Sequence, residues 1–362
     1  MGKIIMHVDL NAFFATAELL RHPEYAGKPL IVCGLGLRGV VSTASYEARA
    51  FGVHSAMPTY QAKELCPQGI FLSGDYAYYD MLSQSFFAYL KSYSLLVEQA
   101  SIDEGYVDMS KALADKKDPL DYLHRVQDGL LEQIGLKCSI GVAPTKFLAK
   151  MASEMKKPMG LTILRRKDLP EKLYPLPISS FYGIGKKTAP RLELMGIKTI
   201  GDLKKRCDQD DPALKELLGK FYFVIKDWVN GYGDDVVDPT PFDPKSIGHS
   251  ETFPYDTSDE AEILHKLHEL ALETAEGAVS SHKKGKTIQL VIKDKDFKTH
   301  DKSCSFKEAI SDGEAIYDKA KALYEANFLG LEIRLVGVTL QSLVDPKKEI
   351  VQMTFDNYES YE

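Results

Sequence analysis

Two carboxylates stand side by side in "SIDEGY" (residues 101–106): Asp103 and Glu104 lie between Ile102 and Gly105, and a third acid, Asp9, closes the apolar run "KIIMHVDL". Stretches with β-forming residues flank the pair, "SLLVEQASI" before it and "YVDM" after it, so it belongs at or near the tip of a hairpin. Neighbours in a regular strand point to opposite faces, so both acids reach one object only where the chain turns. Gly105 suits a tight approach there. The same residues also compose a plain solvated turn, and strand-end acids also serve as helix caps. Brought to one spot, however, three carboxylates repel one another unless a cation is present. Oxygen donors with no His or Cys pattern nearby favour a hard ion such as Mg²⁺. A pair of such ions about 3.5–4 Å apart supports in-line phosphoryl transfer, one at the attacking oxygen and one at the leaving phosphate.

The elements that carry these acids follow from the hydrophobic pattern. "KIIMHVDL" reads as a short strand and "NAFFATAELLRHP" as a helix stopped at Pro23. "PLIVCG" and "GVVSTAS" are strands joined by "GLGLRG", which is no dinucleotide loop because no helix follows it in a βαβ unit. "YEARAFGV", "PTYQAKELCP" and "YAYYDMLSQSFFAYLKSY" are helical, and the acidic hairpin comes next. After it run the helix "YLHRVQDGLLEQIG", the strand "KCSIGVA" and the helix "TKFLAKMASEMKK", ended by Pro158. Residues 167–230 are rich in helix and contain "GIGKKT", where Gly183 and Gly185 precede Lys186. Such a turn either exposes N–H groups to an anion or simply packs two helices. "NGYGDDVVDPTPFDPKS" reads as a linker. The strands "KTIQLVIKD" and "IRLVGVTLQSLV", with two helices, then form a small α+β block.

A chain of 362 residues exceeds one ordinary core and suits several domains of about 100–200 residues each. Its 44% hydrophobic and 27% charged residues are those of a folded, soluble chain, and neither a membrane-spanning run nor a signal-peptide layout is present. Five scattered cysteines without a CxxC pair point to reduced thiols in a cytoplasm, with no disulfide framework or zinc site. A net charge of −7 argues against a polyanion binder, but charge is unevenly spread. Lys283, Lys284, Lys286, Lys293 and Lys295 crowd one segment, either as a protected sheet edge or as a phosphate-holding face.

In this order and with these gaps, "VDLNAFFATAE", "STASYEARAFGV", "SIDEGYVD", "GVAPTKFLAKMASEMKKPMG" and the "GIGKKT" hairpin resemble the Y-family DNA polymerases. The resemblance covers nearly the whole chain up to about residue 345. The chain departs from the usual pattern at Asn11, Gly105 and Val107, where Asp, Ala and Leu are common, and none of these removes a carboxylate.

The resemblance implies an α+β multidomain right hand. Its ferredoxin-like palm takes residues 1–10 and 77–166, small fingers 11–76, a helical thumb with a helix-hairpin-helix 167–230, a linker 231–245 and an α+β little finger 246–345. It implies a translesion-type, template-directed DNA polymerase that adds dNTPs to a primer on primer-template DNA, acting as a monomer with low processivity and low fidelity. Asp9, Asp103, Glu104 and the Leu10 backbone carbonyl would hold two Mg²⁺ ions. Phe14, after Phe13, matches the aromatic that stacks under the sugar and excludes a 2′-hydroxyl, and Thr43, Tyr46, Arg49 and Lys157 match contacts to the triphosphate. Arg and Lys suit several negative charges, and a Tyr hydroxyl donates a hydrogen bond. Gly183, Gly185, Lys186 and the lysine-rich strand would follow the DNA backbone. In the tail 346–362, Gln352, Met353 and Phe355 resemble a sliding-clamp peptide, although Asp356 stands where that motif has a second apolar residue. A nucleotidyl cyclase would leave the thumb-like hairpin and the last block unexplained, and a non-catalytic adaptor would not need all three carboxylates.

Overall fold

Ile5, Met6, Val8 and Leu10 make the strand Ile5–Leu10 apolar on both faces, and every residue in it is buried. It is the middle strand of a five-stranded sheet whose order is Val97–Gln99, Glu104–Asp108, Ile5–Leu10, Cys138–Ala143, Leu161–Ile163. The computed structural model describes residues 2–114 and 116–346. Two units divide the chain: one runs from the N terminus through Leu35 and over Gly39–Pro241, the other takes Gly36–Arg38 and the chain from Phe242.

In the first unit the central strand pairs antiparallel with both neighbours, and the register sets Asp9 opposite Glu104. The strand period of two sends Met6, Val8 and Leu10 into a core with Leu82, Phe86, Leu123 and Val126 of the helices Tyr76–Lys91 and Pro119–Ile134. Ile5, His7 and Asp9 therefore face the other way, toward the helix Lys146–Glu154, where Ile5 joins Phe147 and Leu148. Gly141 lets that helix seat closely. A Cβ there would stand 2.1 Å from the Ala149 carbonyl oxygen and 2.3 Å from the Ser153 nitrogen. Gly105 has a similar reason, since a Cβ would meet the Phe87 ring at 2.7 Å and the Glu98 carbonyl oxygen at 2.9 Å. The acidic pair occupies the expected hairpin, with Gln99 paired to Gly105 and residues 100–103 turning between the strands.

A three-stranded sheet, Val41–Ala44, Leu30–Cys33, Ile70–Leu72, packs with the short helices Tyr46–Arg49 and Thr59–Leu65. The helical segment after residue 169 shares its core with Phe147, Leu148 and Met151. Part of the expected linker is anchored: the Asp234 carbonyl accepts from Lys146 N–H at 2.9 Å, and Val237 is buried.

The second unit holds a four-stranded antiparallel sheet ordered Thr299–Ile310, Lys284–Asp294, Ile333–Val344, Ser246–Thr257. Its core joins the sheet to the helices Glu260–Ser280 and Gly313–Asn327. The sequence pattern revealed only the two inner strands. Ser246–Thr257 and Thr299–Ile310 lie at the edges, largely exposed, so their apolar alternation is weak and polar residues fill them. His268 meets Glu314 from the other helix at 2.8 Å.

Candidate active site

Asp9 and Glu104 stand side by side at the end of the central strand pair, and lysines reach them from the helix Lys146–Glu154 and the turn after it. Lys150 Nζ lies 2.9 Å from Asp9 Oδ2 and also contacts Glu104 Oε2. Lys157 Nζ lies 2.6 Å from Asp9 Oδ1. Glu154 Oε1 is 2.8 Å from each ammonium and closes the network. Burial raises the Asp9 carboxyl above its ordinary range against the pull of both lysines. Burial also opposes charge on Glu104, but the facing His7 ring and the Lys150 ammonium outweigh it and hold that carboxyl well below the usual range. Burial disfavours the Lys150 ammonium, yet Asp9, Glu154 and Glu104 keep its proton on.

A histidine joins the two carboxylates. One ligand atom each from His7, Asp9 and Glu104 lies within 4.8 Å of the others, and Asp103 is outside that group. The Ser101 hydroxyl donates to Asp103 Oδ1 at 2.6 Å and accepts from Asp103 N–H at 3.2 Å, which ties this carboxylate to its own turn. Leu10 N–H donates to the Asp103 carbonyl at 2.9 Å, so the Leu10 and Asp103 backbones adjoin. His7 carried a signal that composition hides: it precedes Asp9 by two positions on a strand and so shares its face. Lys150 and Glu154 carried another, the four-residue spacing of one helix face, with Lys157 following in the turn after the helix.

Phe13 is buried, while Phe14 is half-buried and stacks on Tyr79 with centroids 4.4 Å apart and planes 13° apart. The Tyr79 hydroxyl donates to buried Glu18 Oε1 at 2.6 Å, so the ring that supports Phe14 is itself pinned. Tyr79 was missed because it comes from the separate helix Tyr76–Lys91, and Glu18, one turn after Phe14 on the helix Phe13–Arg21, because only Tyr79 gives it a part in this support. Thr43 is half-buried on the strand Val41–Ala44. Ser45 caps the helix that begins at Tyr46, its Oγ accepting from Ala48 N–H. The Arg49 guanidinium lies 4.8 Å over the Tyr46 ring, and its Nε donates to the Ala44 carbonyl at 2.9 Å. Burial raises the Tyr46 hydroxyl, and the charges of Arg49, Lys157 and Asp9 all act on it, which ties this helix electrostatically to the carboxylates.

Gly183 adopts φ +91° before the short helix Ala189–Leu194, and Gly185 and Lys186 are exposed in the same turn. In the second unit Lys283 pairs with Asp243 at 2.7 Å and Lys295 with Glu332 at 2.8 Å, so these charges are answered locally. Lys284, Lys286 and Lys293 are half-buried on the strand Lys284–Asp294. The sheet face turned away from the helices is built mainly of hydroxyls and amides. Thr287 and Ser305 Oγ atoms meet at 3.0 Å, and Gln341 Nε2 donates to Gln289 Oε1 at 2.6 Å. Gln352, Met353 and Phe355 lie outside the described residues.

Comparison with known proteins places this geometry in a family. Residues 8–154 match the impB/mucB/samB family, 166–197 the IMS family HHH motif, and 244–355 the impB/mucB/samB C-terminal domain. A chimeric Y-family DNA polymerase, Dbh-Dpo4(243-245)-Dbh, superimposes with a TM-score of 0.83 at 28% identity, over 94% of this chain and 99% of that one. The chain belongs to the Y-family DNA polymerases, and its class of activity is that of a DNA-directed DNA polymerase. Among curated relatives, DNA polymerase IV of Oceanobacillus iheyensis is 38% identical over 99% of this chain and 86% of its own length. DNA polymerase IV of Listeria monocytogenes serotype 4b (strain CLIP80459) is 38% identical over 94% of this chain and 96% of its own. No helix among the described residues is long and apolar enough to cross a membrane.

Proposed function

We propose that this chain is a translesion-type polymerase that adds dNTPs to the 3′ end of a primer paired to a template, with Asp9, Glu104 and Asp103 at the reacting centre. The observation that carries the reading is the convergence of Asp9 and Glu104 across paired strands, balanced by two lysines from one neighbouring segment. The donor set suits Mg²⁺. Carboxylate oxygens are hard ligands, and the spot between Asp9 and Glu104 already favours positive charge, since it holds the Lys150 ammonium. Asp9, Asp103, Glu104 and the Leu10 carbonyl would hold two such ions, which when bound supply Lewis-acid stabilisation of charge on the primer oxygen and the triphosphate.

The chain's own groups do the rest. Lys157, already at the carboxylates, and Tyr46 with the Arg49 guanidinium over its ring would hold the triphosphate. Phe14 would close the space beneath the sugar. The small three-stranded sheet beside this site offers little surface to clamp a nascent base pair, which supports low fidelity. A net charge of −7 and locally paired lysines support few phosphate contacts and low processivity. Similarity to the post-insertion binary complex of Dbh DNA polymerase supports DNA as the partner. Primer extension with purified protein should give template-matched addition that requires Mg²⁺; addition unaffected by chelator, or cyclised nucleotide as the product, would rule the reading out.

The tail adds a second partner to this reading, a sliding clamp held by Gln352, Met353 and Phe355. Tethering to a clamp already on DNA raises the local polymerase concentration. Truncation after Asp345 should abolish clamp stimulation while basal extension continues; full stimulation of the truncated chain would place the contact elsewhere.

A further inference from the structure

His7 is fully buried beside the carboxylates, on the same strand face as Asp9. Its ring packs on Tyr106 with centroids 4.7 Å apart. Nδ1 lies 2.8 Å from Ser153 Oγ, and that hydroxyl donates to the Lys150 carbonyl at 2.8 Å. A hydroxyl has one proton to give. With that proton directed to Lys150, the bond between His7 and Ser153 is donated by Nδ1–H. Nε2 has no hydrogen-bond partner and stands 3.5 Å from Glu104 Oε2. A phenylalanine would fill the same space but could neither bond Ser153 nor face Glu104; what histidine adds is the Nδ1 bond together with this approach of Nε2 to the carboxylate.

That bond leads to Lys150. The path runs from the central strand through the His7 ring and the Ser153 hydroxyl to the backbone of the residue whose ammonium meets Asp9 and Glu104. Close seating at Gly141 fixes how near the helix lies to the sheet. Its position along its own axis needs a directional contact, and the hydrogen bond from His7 supplies one.

We propose that His7 is a positioning residue that locks the helix Lys146–Glu154 in register with the central strand and thereby sets the Lys150 ammonium between Asp9 and Glu104. This rests on the reading of Asp9 and Glu104 as catalytic carboxylates.

Single-nucleotide insertion kinetics test it. His7→Phe should lower kcat about 10- to 100-fold, the cost of misplacing a group by roughly 1 Å or less, with KM for the nucleotide little changed. Asn places its N–H where ring Nδ1–H lies, and Gln reaches instead toward Nε2. His7→Asn should therefore recover most of the loss and His7→Gln should not. Ser153→Ala should reproduce the defect, and in a Lys150→Ala background His7→Phe should cost nothing further. Long-range ¹H–¹⁵N NMR of ¹⁵N-histidine-labelled protein should show His7 Nδ1 protonated, a measurement that needs no variant to fold. An unchanged kcat in a folded His7→Phe, better rescue by Gln than by Asn, additivity with Lys150→Ala, or an unprotonated Nδ1 would each overturn the proposal. Activity surviving in Glu104→Gln would instead remove the underlying reading, so the two failures are distinguishable.

Discussion

Glu104→Gln is expected to lower the rate of nucleotide addition by about 10²–10³-fold or more, the usual cost of removing a preorganised electrostatic group from a reacting centre. The substitution keeps the size of the side chain and an oxygen that can accept from Lys150, so the loss reports charge rather than shape. Binding of primer-template DNA should change little, because the carboxylate is half-buried at the end of a strand pair and repels phosphate if it acts on it at all. Single-turnover insertion and fluorescence anisotropy separate the two quantities, and normal insertion would end the two-metal reading. The pH dependence has a defined sign. A carboxyl held below its usual range in the folded state stabilises the fold above its unfolded value of about 4.3 and loses that contribution as pH falls through the folded value. Glu104 therefore stays ionised across the neutral range, and activity between pH 6 and 8 should show no inflection from it.

Phe14→Ala is expected to raise incorporation of ribonucleotides relative to deoxyribonucleotides by about 10²-fold, the order by which a pocket discriminates a small added group. In the proposed role Phe14 would act as a wall that cannot retreat. Phe14 is stacked on Tyr79 at 4.4 Å, Tyr76 meets it edge-on at 5.7 Å, and the Tyr79 hydroxyl is bonded to Glu18. A flat side chain backed in this way excludes an extra hydroxyl by clash, and discrimination by clash disappears with the side chain that causes it. Competitive insertion of matched ribo- and deoxyribonucleotides gives the ratio directly, and an unchanged ratio would put the gate somewhere else.

Much of this molecule is written in local pattern. The buried central strand, the hairpin carrying the acidic pair, the helices capped by Asp75, Asp118 and Thr145, and the inner strands of the second unit all follow from apolar periodicity and terminal residues. Such signals survive in sequence because each depends on residues only a few positions apart. The polar edge strands Ser246–Thr257 and Thr299–Ile310 were not legible, since half-exposed strands need little apolar alternation. The cluster around the carboxylates was legible only in part. Asp9 and Glu104 were visible as strand-end acids, but their partners depend on how distant segments pack: Lys150 bonds Asp9 across 141 residues and His7 bonds Ser153 across 146. Tyr79 comes under Phe14, and Asp103 stays with Ser101, for the same reason. Periodicity determined which faces are apolar and where acids end strands; only the folded sheet, with a helix seated on Gly141, decided which charges meet and which carboxylate stands apart.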